Sequence, residues 1–308
     1  MSVKSGNWEV LPVMAEARSH SPVIPYEGRL YIFGGGGPEF KSLDSVVCLD
    51  PQKGKWQNLR HMPTKRSGTA GFGIADNMYV VGGGFKKPDG NFQFLPTTEI
   101  YDPRSDEWSR GPDMHQPHDY PAASLLDGSI YILGGHHPEA CLGGPKTDPG
   151  FSFCERWRPG QADWEQIADM PTPRFAAAAV SHEQKIYTSG GVAFTPQGFN
   201  NFDFFEVYDP RSNQWQEDAD IKLPWPAAGH GMCLTDNKIF FFGGYSTDNI
   251  HNRASYYDLS SGEWIALPPM PYPRAAMGVA VMDKAIYLVG GWADDGRTPV
   301  DSVVVYHW

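Results

Sequence analysis

The sequence predicts an all-β fold, a six-bladed β-propeller of four-stranded antiparallel blades. Three series of residues recur through its 308 positions with a period of about 50 residues. Glycine doublets, each after an apolar or aromatic run, begin at Gly34, Gly82, Gly134, Gly190, Gly243 and Gly290. A tryptophan series and an arginine-centred series share this phase, and their coincidence predicts six equivalent units.

The tryptophan series consists of Trp8, Trp56, Trp108, Trp164, Trp215 and Trp264. Most of these residues follow a strand that ends in a turn, as in IYDPRSDEW and VYDPRSNQW. The third series lies 16 residues before each doublet and consists of Arg18, Arg66, His118, Arg174, Ala227 and Arg274. The periodic tryptophans are expected to pack between blades rather than to bind a ligand.

Four strands can be placed in each unit from its pattern. The first follows the arginine position, the second is the apolar run before the doublet, the third ends at the turn, and the fourth begins at the tryptophan. The predicted blades cover residues 18–59, 66–111, 118–167, 174–218, 227–267 and 274–308 plus 6–12.

The two ends of the chain complement each other. The last unit has a third strand at Val303 to Tyr306 but no fourth strand, and the chain begins with an unpartnered fourth strand, NWEVLP. The N-terminal strand should therefore complete the last blade. This pairing removes two open sheet edges, so we expect one domain over residues 1–308, and a monomer.

A glycine doublet after a strand, then a Tyr-Asp strand end, then a tryptophan six residues on resembles the kelch repeat, here over essentially the whole chain. The resemblance implies four-stranded blades that circle a central channel. It also implies binding of a small molecule or a protein segment at the loop-rich mouth of the channel.

The composition of the chain argues against some classes of binding partner. The formal net charge is -11, which disfavours nucleic acid and anionic membranes. No segment is as apolar and long as a membrane span, and the first twenty residues have no apolar core of a secretory signal. Cys48, Cys141, Cys154 and Cys233 form no C-x-x-C pair. These features favour a cytoplasmic protein with reduced thiols.

The longest connections should share one face of the ring, because neighbouring strands run antiparallel. They join the second and third strands of blades 2, 3 and 4, roughly at 84–97, 136–151 and 192–203, and long loops on a rigid scaffold often carry function. Their phenylalanines are Phe85, Phe92, Phe94, Phe194, Phe199 and Phe202. They predict a cap or contact surface over the mouth or, alternatively, a cluster that packs on itself.

The candidate ligand-binding residues at this face are His20, Arg66, Asp119, Arg174, Trp225, His230, Tyr245, Arg274 and Trp292. The arginines offer forks for a carboxylate or phosphate, although kelch proteins commonly use an arginine here as a structural residue. The aromatic side chains offer flat faces for a sugar or an aromatic ligand.

Blade 3 differs from the others because His118 replaces the arginine and His136 and His137 follow the doublet. These three histidines could hold a divalent transition metal. With Tyr120 they could instead act in acid–base catalysis, or they could be ordinary hydrogen-bonding residues.

An enzyme acting on a small molecule is therefore the alternative to a binding module. The kelch resemblance includes mutarotase-like isomerases and metal-dependent lyases and oxidases. The sequence contains no Walker loop, G-x-S-x-G elbow or H-E-x-x-H motif, so residue patterns do not decide between the two.

Overall fold

The computed structural model describes residues 6–141, 147–247, 249–293 and 298–308. In chain order its strands are β1 (Asn7–Leu11), β2 (Val23–Tyr26), β3 (Arg29–Gly36), β4 (Ser42–Asp50), β5 (Lys55–Leu59), β6 (Ala70–Ile74), β7 (Asn77–Val81), β8 (Gly84–Lys86), β9 (Phe92–Phe94), β10 (Thr98–Asp102), β11 (Glu107–Arg110), β12 (Ala122–Leu126), β13 (Ser129–Gly135), β14 (Phe151–Trp157), β15 (Glu165–Ile167), β16 (Ala178–His182), β17 (Lys185–Ser189), β18 (Val192–Thr195), β19 (Gly198–Asn201), β20 (Phe204–Asp209), β21 (Gln214–Lys222), β22 (Gly231–Thr235), β23 (Lys238–Phe242), β24 (Tyr245–Ser246), β25 (Asn249–Ile250), β26 (Ala254–Asp258), β27 (Glu263–Ala266), β28 (Gly278–Met282), β29 (Ala285–Val289) and β30 (Val303–His307). Short 3-10 helices lie at Pro38–Phe40 and Pro138–Cys141.

Six four-stranded antiparallel sheets form the blades, which confirms the six-bladed β-propeller. Their strand orders are β2-β3-β4-β5, β6-β7-β10-β11, β12-β13-β14-β15, β16-β17-β20-β21, β22-β23-β26-β27 and β28-β29-β30-β1. Three two-stranded hairpins, β8-β9, β18-β19 and β24-β25, extend from blades 2, 4 and 5. In the described ranges, no helix has the length and apolar character needed to cross a membrane.

Strand β1 completes the last blade, as predicted. It pairs antiparallel with β30, and Trp8 lies opposite Tyr306. The indole of Trp8 donates to the carbonyl of Pro268 in blade 5, at 2.9 Å, and the indole of Trp56 donates to that of Pro12, at 3.1 Å. The N-terminal strand therefore contacts blades 5 and 1 as a fourth strand does elsewhere in the ring.

The periodic tryptophans link neighbouring blades. The indoles of Trp108, Trp164 and Trp215 donate to carbonyls of the preceding blade at 2.8–3.2 Å. The indole nitrogen of Trp264 is buried and has no hydrogen-bond partner among the described residues. These side chains pack between blades. The apolar ring lies against side chains of the core and, in five of the six, the indole N–H donates to a backbone carbonyl.

The glycine doublets and the arginine series meet at the same junctions. At the junction of blades 6 and 1, Gly290 and Gly291 have φ of +61° and +106°, which only glycine adopts readily. A Cβ atom on Gly290 would lie 2.2 Å from the carbonyl oxygen of Arg18, and the amide of Gly291 donates to that oxygen at 2.9 Å. The other five junctions repeat this bond, from Gly35 to Arg66, Gly83 to His118, Gly135 to Arg174, Gly191 to Ala227 and Gly244 to Arg274.

A closed circle of backbone hydrogen bonds surrounds the axis. Its members, which we call the axial ring, are His20, Gly68, Tyr120, Ala176, Gly229 and Ala276, each with φ between +51° and +66°. Each amide donates to the carbonyl of the equivalent residue in the preceding blade at 2.6–3.1 Å, and the amide of His20 closes the circle on Ala276. Four of the six are not glycine, so these bonds offset the cost of a left-handed backbone.

The apolar core lies between blades. One cluster, for example, joins Leu30 and Leu49 of blade 1 to Val289 and Val303 of blade 6. The described cysteine side chains, Cys48, Cys154 and Cys233, are buried and free, and that of Cys141 lies outside the described part of the chain.

Candidate functional site

A cavity of about 310 Å³, the mouth cavity, opens where the long connections converge. Its lining comes from blades 1, 2, 3, 4 and 6: Ser19, His20, Gly36, Gly37, Phe40, Ser67, Gly68, Phe92, Phe94, Asp119, Tyr120, His136, Ala140, Thr147, Asp148, Phe194 and Trp292. Three members of the axial ring, His20, Gly68 and Tyr120, line it and also line a second cavity further along the channel. The axial ring therefore lies between the two cavities.

Aromatic side chains form one wall of the mouth cavity. The ring of His20 meets Tyr120 and Trp292 edge-on, with centroids 4.6 and 4.4 Å apart, and Trp292 meets Phe40 at 6.2 Å. Burial, and then the nearby charge of His136, lower the pKa of His20 to about 3. His20 is therefore neutral at physiological pH, and its Nδ1 lies 2.8 Å from the hydroxyl of Ser19.

His136 and Asp148 form a fixed pair on the blade 3 side. Nδ1 of His136 lies 2.6 Å from Oδ2 of Asp148, and Oδ1 of Asp148 accepts the amides of His137 and Gly150 at 3.1 and 3.0 Å. The imidazole also stacks on Phe175, with centroids 3.9 Å apart. Since Asp148 holds Nδ1, the free Nε2 of His136 is the nitrogen available to a ligand.

Asp119 faces the other side of the same imidazole. Its Oδ2 lies 3.9 Å from Nε2 of His136, beyond hydrogen-bond distance, and its side chain is only 14% exposed. Burial is the main cause that raises the pKa of Asp119 to about 6; the charge of Asp148 adds to this shift, and that of His136 opposes it. Asp119 is thus a largely buried carboxylate on the wall of the mouth cavity.

The surroundings shift the pKa values of His136 and Asp148 in opposite directions. Burial alone would lower the pKa of His136, but the bond to Asp148 and the charges of Asp119 and Asp148 outweigh burial and raise it. Burial would raise the pKa of Asp148, but its bonds to His136 and to backbone amides lower it. Asp148 is therefore the anionic anchor of the pair, and the pKa values of His136 and Asp119 are both raised above their ordinary values.

The arginine candidates lie outside the mouth cavity. Guanidinium groups of Arg66 and Arg274 donate to the first glycine carbonyl of their own doublet, at 3.0 and 3.2 Å. Arg66 also pairs with Glu99 at 2.8 Å, and Arg174 pairs with Glu206 at 3.0 Å. All three side chains are almost completely buried. This geometry favours the structural alternative over carboxylate or phosphate binding.

His118 and Trp225 take over this structural position in the two exceptional blades. Nδ1 of His118 lies 2.6 Å from the carbonyl oxygen of Gly134, and its Nε2 lies 3.4 Å from Glu155. In blade 5, where Ala227 replaces the arginine, the indole of Trp225 donates to the carbonyl of Gly243 at 3.1 Å. Neither side chain lines the mouth cavity.

The remaining candidates are divided between other places. His230 lines the second cavity, and its Nε2 lies 3.1 Å from Oγ of Ser189. Tyr245 packs with Tyr120 on a small apolar cluster and does not line the mouth cavity. His137 contributes its amide to Asp148, while its Nδ1 accepts the amide of Glu139 at 3.3 Å.

The three blade 3 histidines do not converge on one point. His118 is bound inside the blade, His136 faces the cavity, and His137 faces the 3-10 helix that follows. No group of three His, Cys, Asp or Glu side chains that could hold a metal ion occurs in the described ranges. A metal at these histidines thus stays a prediction that the arrangement does not favour.

Asp148 is a part of the site that only the folded loops reveal. Backbone bonds at 2.8 and 2.7 Å join Asp148 to Phe194, so the blade 3 connection lies against the blade 4 hairpin. Phe92, Phe94 and Phe194 line the cavity, whereas Phe199 is 49% exposed and packs on Phe194. Phe92, Phe94 and Phe194 therefore lie over the mouth, and Phe194 and Phe199 pack on each other, so the geometry has features of both alternatives for these loops.

Comparison with known proteins agrees with the repeat. The KLHDC2/KLHL20/DRC7 Kelch-repeats domain family matches residues 1–191 and 156–291. Kelch-like protein 35 of Mus musculus is 31% identical over 153 residues, which are 49% of this chain and 25% of that protein. Kelch-like protein 36 of Bos taurus is 25% identical over 272 residues, which are 86% of this chain and 42% of that protein.

Beta-scruin of Limulus polyphemus is 23% identical over 250 residues, which are 78% of this chain and 26% of that protein. The chain thus spans between 25% and 42% of the length of these relatives. The solved structure of YjhT superposes with a TM-score of 0.81 over 97% of both chains at 18% identity, a likeness of fold alone. The family match covers both halves of the chain, and the chain belongs to the kelch-repeat family.

Proposed function

We propose that this chain is a binding propeller whose mouth cavity receives a compact small molecule or a side chain of a protein segment. The observation that carries the proposal is a single cavity of about 310 Å³ at which connections from five blades converge. This volume lies in the range of small-molecule sites, which begins at roughly 300 Å³. Membership in a family with Kelch-like relatives supports a protein partner as the source of the ligand.

A cavity-filling variant tests the proposal. Ser67 lines the cavity, and the equivalent position in blade 4 is Phe175, so the fold already accepts phenylalanine there. Ser67→Phe should block the cavity and leave the backbone bridge to Gly84 intact. Ser212→Phe, at an exposed turn between the third and fourth strands and so on the opposite face, is the matched control.

Ligand-observed NMR with a panel of fragments and short peptides measures the outcome. Wild type and Ser212→Phe should bind the same compounds, and Ser67→Phe should lose them. Retention of every binder by Ser67→Phe, or an absence of binders for wild type, would contradict the proposal.

Proton-transfer catalysis is the second candidate, because Nε2 of His136 and Oδ2 of Asp119 face the cavity 3.9 Å apart. One group could accept a proton from a ligand hydroxyl while the other donates a proton to a second oxygen, as anomer interconversion of a sugar requires. Exchange NMR on a panel of reducing sugars tests this candidate: wild type should speed interconversion and His136→Gln should not. Equal rates with and without the protein would exclude the reaction for that panel.

A further inference from the structure

We propose that the mouth cavity recognises an organic cation, an ammonium group carried on an apolar stem. This inference rests on the proposed binding function and names the chemistry of its ligand. A free amine and the side chain of a lysine in a protein segment both supply that chemistry, and the experiment below separates them.

The charges of the lining favour a cation. Asp119 and Asp148 carry two carboxylates against the one imidazole of His136, and no lysine or arginine is among the described lining residues. The other histidine of the lining, His20, stays neutral because it is buried. An anionic ligand would therefore enter a low-dielectric cavity with two carboxylates and at most one compensating charge.

A ligand could supply the hydrogen-bond donor that the carboxylate of Asp119 lacks among the described residues. None of the described residues donates a hydrogen bond to its carboxylate, and the nearest charged nitrogen, Nε2 of His136, is 3.9 Å away. A buried carboxylate without donors is costly. An ammonium group carries three N–H donors and a positive charge, so it satisfies Asp119 on both counts.

The aromatic lining supplies the second half of the recognition. Trp292 and Tyr120 lie on the wall with His20, and Phe92, Phe94 and Phe194 come from the hairpins that cover the mouth. Aromatic faces attract organic cations, tryptophan most strongly, and also accept an apolar stem. A bare metal ion would use the carboxylates but not this wall, so the combination favours an ammonium on a carbon skeleton.

Three probes of similar shape and different charge test the inference: benzylammonium, benzyl alcohol and benzoate, titrated by calorimetry at pH 7.5. Wild type should bind benzylammonium about tenfold more tightly than benzyl alcohol, and benzoate least. Asp119→Asn keeps the shape of the side chain and should remove the preference for the cation. Asp127→Asn makes the same exchange at an exposed turn of blade 3 on the opposite face, and should bind as wild type does.

Equal affinity for the alcohol and the ammonium, tighter binding of benzoate, or an Asp119→Asn variant that keeps the preference would overturn the inference. Tight binding of Zn²⁺ without ammonium selectivity would also overturn it. If none of the three probes binds while the fragment panel still finds compounds that Ser67→Phe rejects, the cation inference falls and the proposed function stands.

Two further titrations, of pentylammonium and of Nα-acetyl-lysine N-methylamide, identify the source of the ammonium. The lysine compound presents the side chain together with its flanking peptide groups. Binding at least as tight as that of pentylammonium, lost in Asp119→Asn, supports a protein segment, and binding of pentylammonium alone supports a free amine.

Discussion

Replacing the first glycine of a doublet tests the junction that unites the repeat. Gly290 has φ of +61°, and an added Cβ would lie 2.2 Å from the carbonyl oxygen of Arg18 in the next blade. Gly28 has φ of +71°, but nothing lies within 4 Å of the added atom. Gly28→Ala therefore isolates the backbone cost, and Gly290→Ala adds the collision between blades.

The magnitudes follow from these contacts. A left-handed alanine costs about 1–2 kcal/mol of folding free energy, and this cost alone applies to Gly28→Ala. At Gly290, the collision adds about 1–3 kcal/mol. The displaced carbonyl also loses its bond from Gly291, at 2.9 Å, for about 1 kcal/mol more. Gly290→Ala should therefore lose about 2–4 kcal/mol more than Gly28→Ala.

Urea unfolding followed by circular dichroism measures both free energies, and thermal melting gives an independent ranking. Each kcal/mol should lower Tm by about 2–4 °C in a domain of this size. Equal losses for the two variants would refute the close approach of Gly290 to the next blade and the account of why the doublets recur.

Three further predictions concern the ring and the site. Trp8→Phe should cost about 1 kcal/mol more in unfolding free energy than Trp264→Phe, because only the first loses an indole hydrogen bond; equal losses would contradict the hydrogen bond from Trp8 to Pro268. Arg66→Ala should destabilise the fold by about 3–5 kcal/mol, since it leaves Glu99 buried without its partner, whereas Arg66→Lys, a milder change, should leave the affinity of any mouth ligand unchanged in titrations. The folded pKa of Asp119, about 6, exceeds its ordinary 3.8, so the folded state binds more protons between these values and stability falls as pH rises through that window. Asp119→Asn should thus stabilise the protein on the order of 2 kcal/mol at pH 7.5 and have little effect at pH 4, and a variant destabilised at pH 7.5 in urea titrations would oppose this assignment.

The blades could be predicted because their constraints are local and repeated. The glycine doublet and the arginine position, represented by Gly290 and Arg18, recur in phase. The amide of the second glycine donates a hydrogen bond to the carbonyl at the arginine position of the next blade. Ring closure could be predicted because Trp8 and Val303–Tyr306 are the two halves of one interrupted repeat. The axial ring was missed, since His20, Tyr120 and Ala276 share a backbone conformation but no side-chain type.

The site could be predicted only in part. His20, Asp119, Tyr120 and His136 lie near the starts of inner strands or beside a doublet, so the repeat alone placed them at the mouth. Asp148 is twelve residues from His136 within a connection, and only the return of that connection brings the two together. The repeat pattern does not predict the conformation of such loops, because each loop differs in length from its counterparts in the other blades.

The arginine series shows a case in which residue type alone suggests a binding role that the position of the side chain does not favour. A guanidinium group near a channel mouth suggests anion binding from sequence. In the structure, Arg66 and Arg274 donate to glycine carbonyls inside the blades, and Arg174 donates to Thr188 and pairs with Glu206. Direction of a side chain, inward to the blade or outward to the cavity, depends on the junction geometry and cannot be read from residue type.

A crystal structure of the protein soaked with benzylammonium tests the binding site most directly. The ammonium nitrogen should lie within hydrogen-bond distance of Asp119, and the benzyl ring should lie against the aromatic wall that includes Trp292. Another cavity, of about 400 Å³, lies at the outer side of blades 5 and 6 beside Tyr256 and Trp308. A probe bound there, with none at Asp119, would contradict the proposed cation site in the mouth cavity.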